Sequence, residues 1–124
     1  MKIVIADDSA MVRERIISTL NDVKGVEVTG EADNAKATME KVEELKPDAV
    51  ILDIGMPGNG ISIIKAIKDR KKPPVVIMFT NYSYEQYEIN CLEEGADFFF
   101  NKSEGIEKIT EVLNKTLSEK DNRD

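Results

Sequence analysis

Ala49-Val50-Ile51-Leu52-Asp53 is an unbroken apolar run that ends on a carboxylate. Four apolar residues in a row, with no polar alternation, describe a strand covered on both faces, as in the middle of a parallel sheet. Three further runs repeat the design. Lys2-Ile3-Val4-Ile5-Ala6 leads into Asp7 and Asp8, Val75-Val76-Ile77-Met78-Phe79 leads into Thr80, and Phe98-Phe99-Phe100 leads into Asn101 and Lys102. If these strands lie parallel, their carboxyl ends share one edge. Three carboxylates, a hydroxyl and an ammonium then converge on the crevice where open α/β sheets bind ligands.

Between the strands the apolar period becomes helical. Val12, Ile16, Leu20 and Val23 recur at spacings of four, four and three, with Ser9 placed to cap that helix. Val26 to Ala32 alternates apolar and polar residues, which suits a strand at a sheet edge. Asn34 caps a second helix with Ala35, Met39, Val42 and Leu45 inward, stopped by Pro47. Met56-Pro57-Gly58-Asn59-Gly60 is a loop by composition, and the helix after it buries Ile63, Ile64 and Ile67 until Pro73 and Pro74 break it. A fourth helix runs from about Tyr84 to Glu94, with Gly95 at the usual stop position and Cys91 inward as packing. Ser103 is placed to cap the last helix, whose inner face is Ile106, Ile109, Leu113 and Leu117.

Five strands and five helices in strict alternation, with right-handed crossovers, predict an α/β fold: a doubly wound, five-stranded parallel sheet with helices on both faces. The order 2-1-3-4-5 is expected because it puts the less apolar second strand on an edge. Strands one and three then become neighbours, and Asp7, Asp8 and Asp53 meet. Residues 1–119 are expected to form one domain, with 120–124 a charged tail.

The 124 residues are enough for one ordinary domain. With 17 basic and 24 acidic residues the formal charge is −7, which argues against direct binding to nucleic acid. The basic stretch of Lys65, Lys68, Arg70, Lys71 and Lys72 reads as the solvated end of a helix. One cysteine precludes an internal disulfide and fits a reducing compartment. No charged leader or run of 18 apolar residues is seen, so a cytoplasmic protein without membrane insertion is expected. Histidine is absent, which removes Ser-His-Asp triads, Cys-His dyads and every His-ligated metal site.

Three ionised carboxylates in one crevice require a counter-charge. An oxygen-only donor set suits a hard cation, with Mg²⁺ the expected one, and a carboxylate beside it can act as a nucleophile toward phosphorus. Phosphoryl transfer needs in-line positioning and neutralisation of three equatorial oxygens. A cation, the Lys102 ammonium and the Thr80 hydroxyl would serve one oxygen each. Taken singly, Asp7 and Asp8 read as helix caps, Asp53 and Thr80 as turn formers, and Lys102 as a surface lysine. Their joint placement at four strand ends is what those readings leave unexplained.

On these residues the chain resembles the receiver domains of two-component response regulators, from about Lys2 to Leu117. The likeness rests on Asp7-Asp8, Asp53, Met56-Pro57, Thr80, Gly95-Ala96-Asp97-Phe98 and Lys102. It implies a flavodoxin-like sheet with Asp53 as phosphoacceptor. It also implies direct Mg²⁺ ligation by Asp8, Asp53 and the backbone carbonyl of Gly55, with Asp7 acting largely through water. Lys102 would pair with the phosphoryl group, Thr80 would be the switch hydroxyl, and Phe99 the aromatic that follows it. The donor would be a histidine kinase or a phosphotransfer protein, since this chain has no histidine of its own. An unnamed protein target would read the face made by the fourth helix, fifth strand and fifth helix, and the domain is expected to act as a monomer.

Three departures stand out. Asn59-Gly60 replaces the usual Asp-Gly, Ser103 follows the lysine where proline is common, and the switch aromatic is Phe99, not tyrosine. Two rival classes fit less well. A Mg²⁺-dependent phosphohydrolase of the haloacid-dehalogenase type needs Asp-x-Asp after its first strand, whereas Asp7 and Asp8 are adjacent. A nucleotide or flavin module needs a glycine-rich phosphate cradle, which the Asp7-Asp8-Ser9 turn lacks. A receiver excised from a longer response regulator remains a variant of the main reading.

Overall fold

The structure is a computed structural model that describes the backbone of residues 1–82 and 84–121, with side chains as far as Glu119. Strands β1 (Lys2–Ala6), β2 (Glu27–Ala32), β3 (Ala49–Leu52), β4 (Val75–Thr80) and β5 (Phe98–Asn101) alternate with helices. The helices are α1 (Ala10–Leu20), α2 (Ala35–Leu45), α3 (Ile61–Lys68), α4 (Glu85–Glu93) and α5 (Glu107–Asp121), with a short 3-10 turn at Lys102–Glu104. The sheet is parallel throughout, in the order β2-β1-β3-β4-β5. The expected topology is therefore the observed one.

The sheet divides the core into two layers because successive side chains of a strand point to opposite faces. Val50, Leu52, Val76 and Met78 pack with Val42, Ile64, Ile67 and Cys91 on one face. Ile3, Ile5, Ile51 and Ile77 pack with Ile16, Leu20, Ile109 and Leu113 on the other. β3 is buried along its whole length, whereas β2 is mostly half-exposed. This contrast in polarity predicted the edge position of β2. In α3, Ile63, Ile64 and Ile67 are buried as the period required, each worth roughly 1.5–3 kcal/mol of burial.

Local signals set several helix ends. Ser9 accepts a hydrogen bond from Val12 N at 3.3 Å, and Asn34 accepts from Ala37 N at 2.7 Å, both from extended backbone. Gly95, at φ +113°, ends α4. Ser103 is different. It is not the cap of α5 but lies inside the 3-10 turn, donating its backbone N–H to the Asn101 side chain at 2.8 Å. That turn interposes between β5 and α5, so the helix begins only at Glu107.

Two other expectations change with packing. In α2 the innermost polar position is Thr38, fully buried, with Met39 only half-buried. Its hydroxyl donates to the Asn34 carbonyl at 2.7 Å, which lets it sit inside the core. Lys68 is not simply solvated. Its ammonium donates to the Pro74 carbonyl at 2.9 Å and pairs with Asp97 at 2.7 Å, while Asp97 also accepts from Val76 N. The residue thus fastens α3 to the start of β4 and to the turn before β5. Of the tail, α5 continues to Asp121, and 122–124 lie outside the described residues.

Candidate functional site

The strand register brings the predicted residues together. Ala6 of β1 stands beside Leu52 of β3, so Asp7 and Asp53 emerge from adjacent strands, and Asp53 N donates to the Ala6 carbonyl at 3.0 Å. Asp7, Asp8 and Asp53 each offer a carboxylate oxygen, and these oxygens lie within 4.8 Å of one another. Asp7 and Asp53 are buried, and Asp8 is exposed at the mouth. Three oxygen donors so close, one open to solvent, form a set that fits a hard divalent cation.

Lys102 supplies the protein's own counter-charge. It leaves the end of β5 and places Nζ 2.7 Å from Asp7 Oδ2 and 3.1 Å from Asp53 Oδ2. Burial pulls the ammonium pKa down, but the hydrogen bond and charge of Asp7, together with the charge and hydrogen bond of Asp53, outweigh it. The net direction is upward from 10.5. For Asp7 burial dominates and raises the carboxyl above 3.8, against the opposing hydrogen bonds from Lys102 and Ser9 N and with Asp53 adding repulsion. Two buried like charges sharing one ammonium form a crevice that favours a further cation.

The loops hold this arrangement from behind. Ser9 N donates to Asp7 Oδ1 at 2.9 Å, and Gly55 N donates to Asp53 Oδ1 at 3.3 Å. In the β3–α3 loop Asn59 takes φ +64° and its side chain accepts from Ile61 N at 2.8 Å, so it serves the turn in place of aspartate. Gly60 lies against the backbone of Asp53: a Cβ there would overlap the Asp53 carbonyl oxygen. The glycine is needed for that close approach.

Thr80 is fully buried at the end of β4, and its Oγ1 accepts a hydrogen bond from Tyr82 N at 3.2 Å. Phe99 is half-buried against the α4-side core. Tyr82, which the sequence reading passed over, lays its ring over Gly55: a Cβ built on Gly55 would come within 2.6 Å of the Tyr82 ring. It also packs edge-on against Tyr87, with ring centroids 5.7 Å apart. The run Tyr82, Tyr84, Tyr87 was the available signal, since tyrosines at that spacing around a helix start can cluster. Arg13 was also missed. Its Nη1 donates to the Asp7 carbonyl at 2.6 Å and its Nε pairs with Glu31 at 2.9 Å.

A carboxylate cluster and an ammonium at the carboxyl edge of a 2-1-3-4-5 parallel sheet define a class of protein, and comparison with known families identifies it. Residues 3–114 match the response regulator receiver domain family, and the chain belongs to that family. A protein-glutamate methylesterase/protein-glutamine glutaminase of Idiomarina loihiensis is 36% identical over 124 residues, which cover 97% of this chain and 32% of that protein. The sensory transduction protein LytT of Bacillus anthracis is 32% identical over 121 residues, covering 97% and 48%. The chain thus spans about a third to a half of the length of these relatives.

Among solved structures, the response regulator domain of Thermotoga maritima CheB aligns with a TM-score of 0.82 at 29% identity, covering 96% of this chain and 94% of that one. The receiver domain of the putative response regulator NarL from Mycobacterium tuberculosis aligns with a TM-score of 0.86 at 27% identity, covering 93% and 94%. The resemblance read from Asp7-Asp8, Asp53, Thr80 and Lys102 is therefore a family membership. The domain is a signalling module of two-component systems. No helix among the described residues is long and apolar enough to cross a membrane.

Proposed function

We propose that this receiver accepts a phosphoryl group on Asp53 from a phosphohistidine of a partner kinase or phosphotransfer protein, and that Mg²⁺ supports the reaction. One observation carries the reading: Lys102 bridges Asp7 and Asp53 in a crevice where three carboxylate oxygens lie within 4.8 Å. Asp8, Asp53 and the Gly55 carbonyl would hold the cation, with Asp7 acting largely through water. When bound, it supplies positive charge against the carboxylates and one phosphoryl oxygen. An Asp53 oxygen attacks phosphorus, the bond from phosphorus to the donor's imidazole nitrogen breaks, and the imidazole leaves with the electron pair. Lys102, already beside Asp53, transfers its hydrogen bond from the carboxylate to a phosphoryl oxygen. The Thr80 hydroxyl, whose oxygen accepts from Tyr82 N, would donate its O–H to another phosphoryl oxygen, a charge-assisted bond that draws it inward.

That inward shift is the proposed output. Phe99 would follow Thr80, altering the face of α4, β5 and α5, where Ile89, Leu92 and Phe98 are 36–44% exposed and available to a protein target. On this reading the domain of residues 1–119 is cytoplasmic and monomeric, and catalyses only its own phosphorylation and dephosphorylation. The test is intact-mass spectrometry after incubation with acetyl phosphate and Mg²⁺. One phosphoryl group should be added, and none with EDTA or in Asp53→Asn. Full phosphorylation of that variant would refute the assignment.

A further inference from the structure

The geometry points to Arg13 as a positioning residue for the Asp7–Asp8 loop, one that sets the loop's affinity for a divalent cation from outside the crevice. The inference rests on the reading of that crevice as a cation and phosphoryl site. Arg13 does not touch the carboxylates' shared face. Its Nη1 donates to the backbone carbonyl of Asp7 at 2.6 Å, and its Nε donates to Glu31 Oε1 at 2.9 Å. The Arg13 side chain is 17% exposed, so its guanidinium is held between α1 and the end of β2. Asp7 N donates to the Ala32 carbonyl at 3.0 Å, one residue beyond Glu31. The peptide groups on both sides of Asp7 are thus tied to the end of β2, one directly and one through the Arg13–Glu31 pair.

Asp8 is the carboxylate most dependent on this brace. Asp7 is anchored by Ser9 N and Lys102, and Asp53 by Gly55 N and Lys102. Asp8 is exposed and follows directly on the carbonyl that Arg13 grips. Turning that peptide plane would carry the Asp8 side chain away from the other two. Groups that orient a ligand without touching the metal commonly set affinity by about 10–100-fold.

Charge and geometry predict opposite signs here, which makes the idea decidable. Removing a cation near a cation site should tighten Mg²⁺ on electrostatic grounds alone, whereas losing a brace should weaken it. The experiment is calorimetric titration of each intact protein with Mg²⁺ alone, alongside amide NMR to verify folding. Arg13→Met should weaken Mg²⁺ by about tenfold. Arg13→Lys keeps the charge but not the two-acceptor fork, and should still lose several-fold. Glu31→Gln keeps an acceptor for Nε without the charge and should stay within about twofold of wild type. Equal or tighter binding by Arg13→Met, or wild-type binding by Arg13→Lys, overturns the inference; if Arg13→Met does not fold, Arg13→Lys decides. A wild-type protein that ignores Mg²⁺ removes the reading of the crevice itself, and this inference with it.

Discussion

Lys102 stands closer to Asp7, at 2.7 Å, than to the proposed phosphoacceptor Asp53, at 3.1 Å. The ammonium is thus tied to a carboxylate that would not be modified and stays near the one that would. It could keep its Asp7 bond while exchanging its Asp53 bond for a phosphoryl oxygen, so the proposed transfer would need little reorganisation of this side chain. The same arrangement makes Lys102 the main internal brake on repulsion between two buried carboxylates.

Replacing Lys102 with Met should therefore have two opposite effects. Without Mg²⁺ the protein should lose about 2 kcal/mol, less than the roughly 3–5 kcal/mol of a fully enclosed pair, because the crevice opens to water at Asp8. With Mg²⁺ the variant should bind the cation more tightly than wild type and recover much of that loss by mass action. Melting curves across a Mg²⁺ series check both. A variant whose melting temperature is unmoved by millimolar Mg²⁺, in a background where wild type responds, contradicts the shared-charge account.

Gly60 is expected to be intolerant of substitution. An alanine Cβ would overlap the Asp53 carbonyl oxygen, a backbone atom that cannot rotate away. Gly60→Ala should cost about 2–3 kcal/mol, a fall of roughly 10 °C in melting temperature. The loss should come with weaker Mg²⁺ binding, because the displaced peptide carries Asp53. A variant that melts like wild type would show that the loop relaxes freely.

Cys91 is fully buried, and burial first, with Glu88 second, pushes its thiol from 9.0 up to about 11. The sign follows directly. A neutral thiol preferred by the folded state contributes stability that is complete below pH 9 and is lost as pH rises toward about 11. A rise of that size corresponds to about 2–3 kcal/mol. Urea melts between pH 8 and 11 should show this loss in wild type and a shallower one in Cys91→Ala. Native protein should also react with a thiol reagent far more slowly than unfolded chain, and equal rates would place the thiol at the surface. The upward-shifted Lys102 adds a second alkaline loss, beginning above 10.5.

The switch reading is tested by amide NMR with beryllofluoride as the phosphoryl mimic. Shifts should begin at Asp7, Asp8 and Asp53 and extend through Thr80 and Phe99 to residues 84–109. Thr80→Ala should confine them to the crevice, because it removes the hydroxyl proposed to engage the new oxygens. Identical spread in wild type and Thr80→Ala would remove Thr80 from the pathway.

Much of this was legible in the chain because local chemistry decided it. The unbroken apolarity of residues 49–52 against the alternation of residues 26–32 placed the second strand on the edge, and the structure has it there. Ser9 and Asn34 cap their helices because each cap is made within three residues of itself. Ser103 looked the same and behaves differently, since a 3-10 turn follows β5 before α5 can start. Capping chemistry marks where a helix can begin; the path of the preceding strand decides whether it does.

The strand ends, and through them the meeting of Asp7, Asp8 and Asp53, follow from the order of residues along the chain, because a parallel sheet sends every strand's carboxyl end to one edge. Tertiary structure alone decided how those residues are held. The nearer bond of Lys102 to Asp7, the pairing of Arg13 with Glu31 and the Tyr82 ring over Gly55 each join different elements well separated in the chain. So does Lys68, which fastens α3 to Asp97 where a solvated lysine was expected. Periodicity records which face of one element is buried. It carries no information about the distance between two loops, which is fixed only when all five strands have paired and the side chains between them have packed.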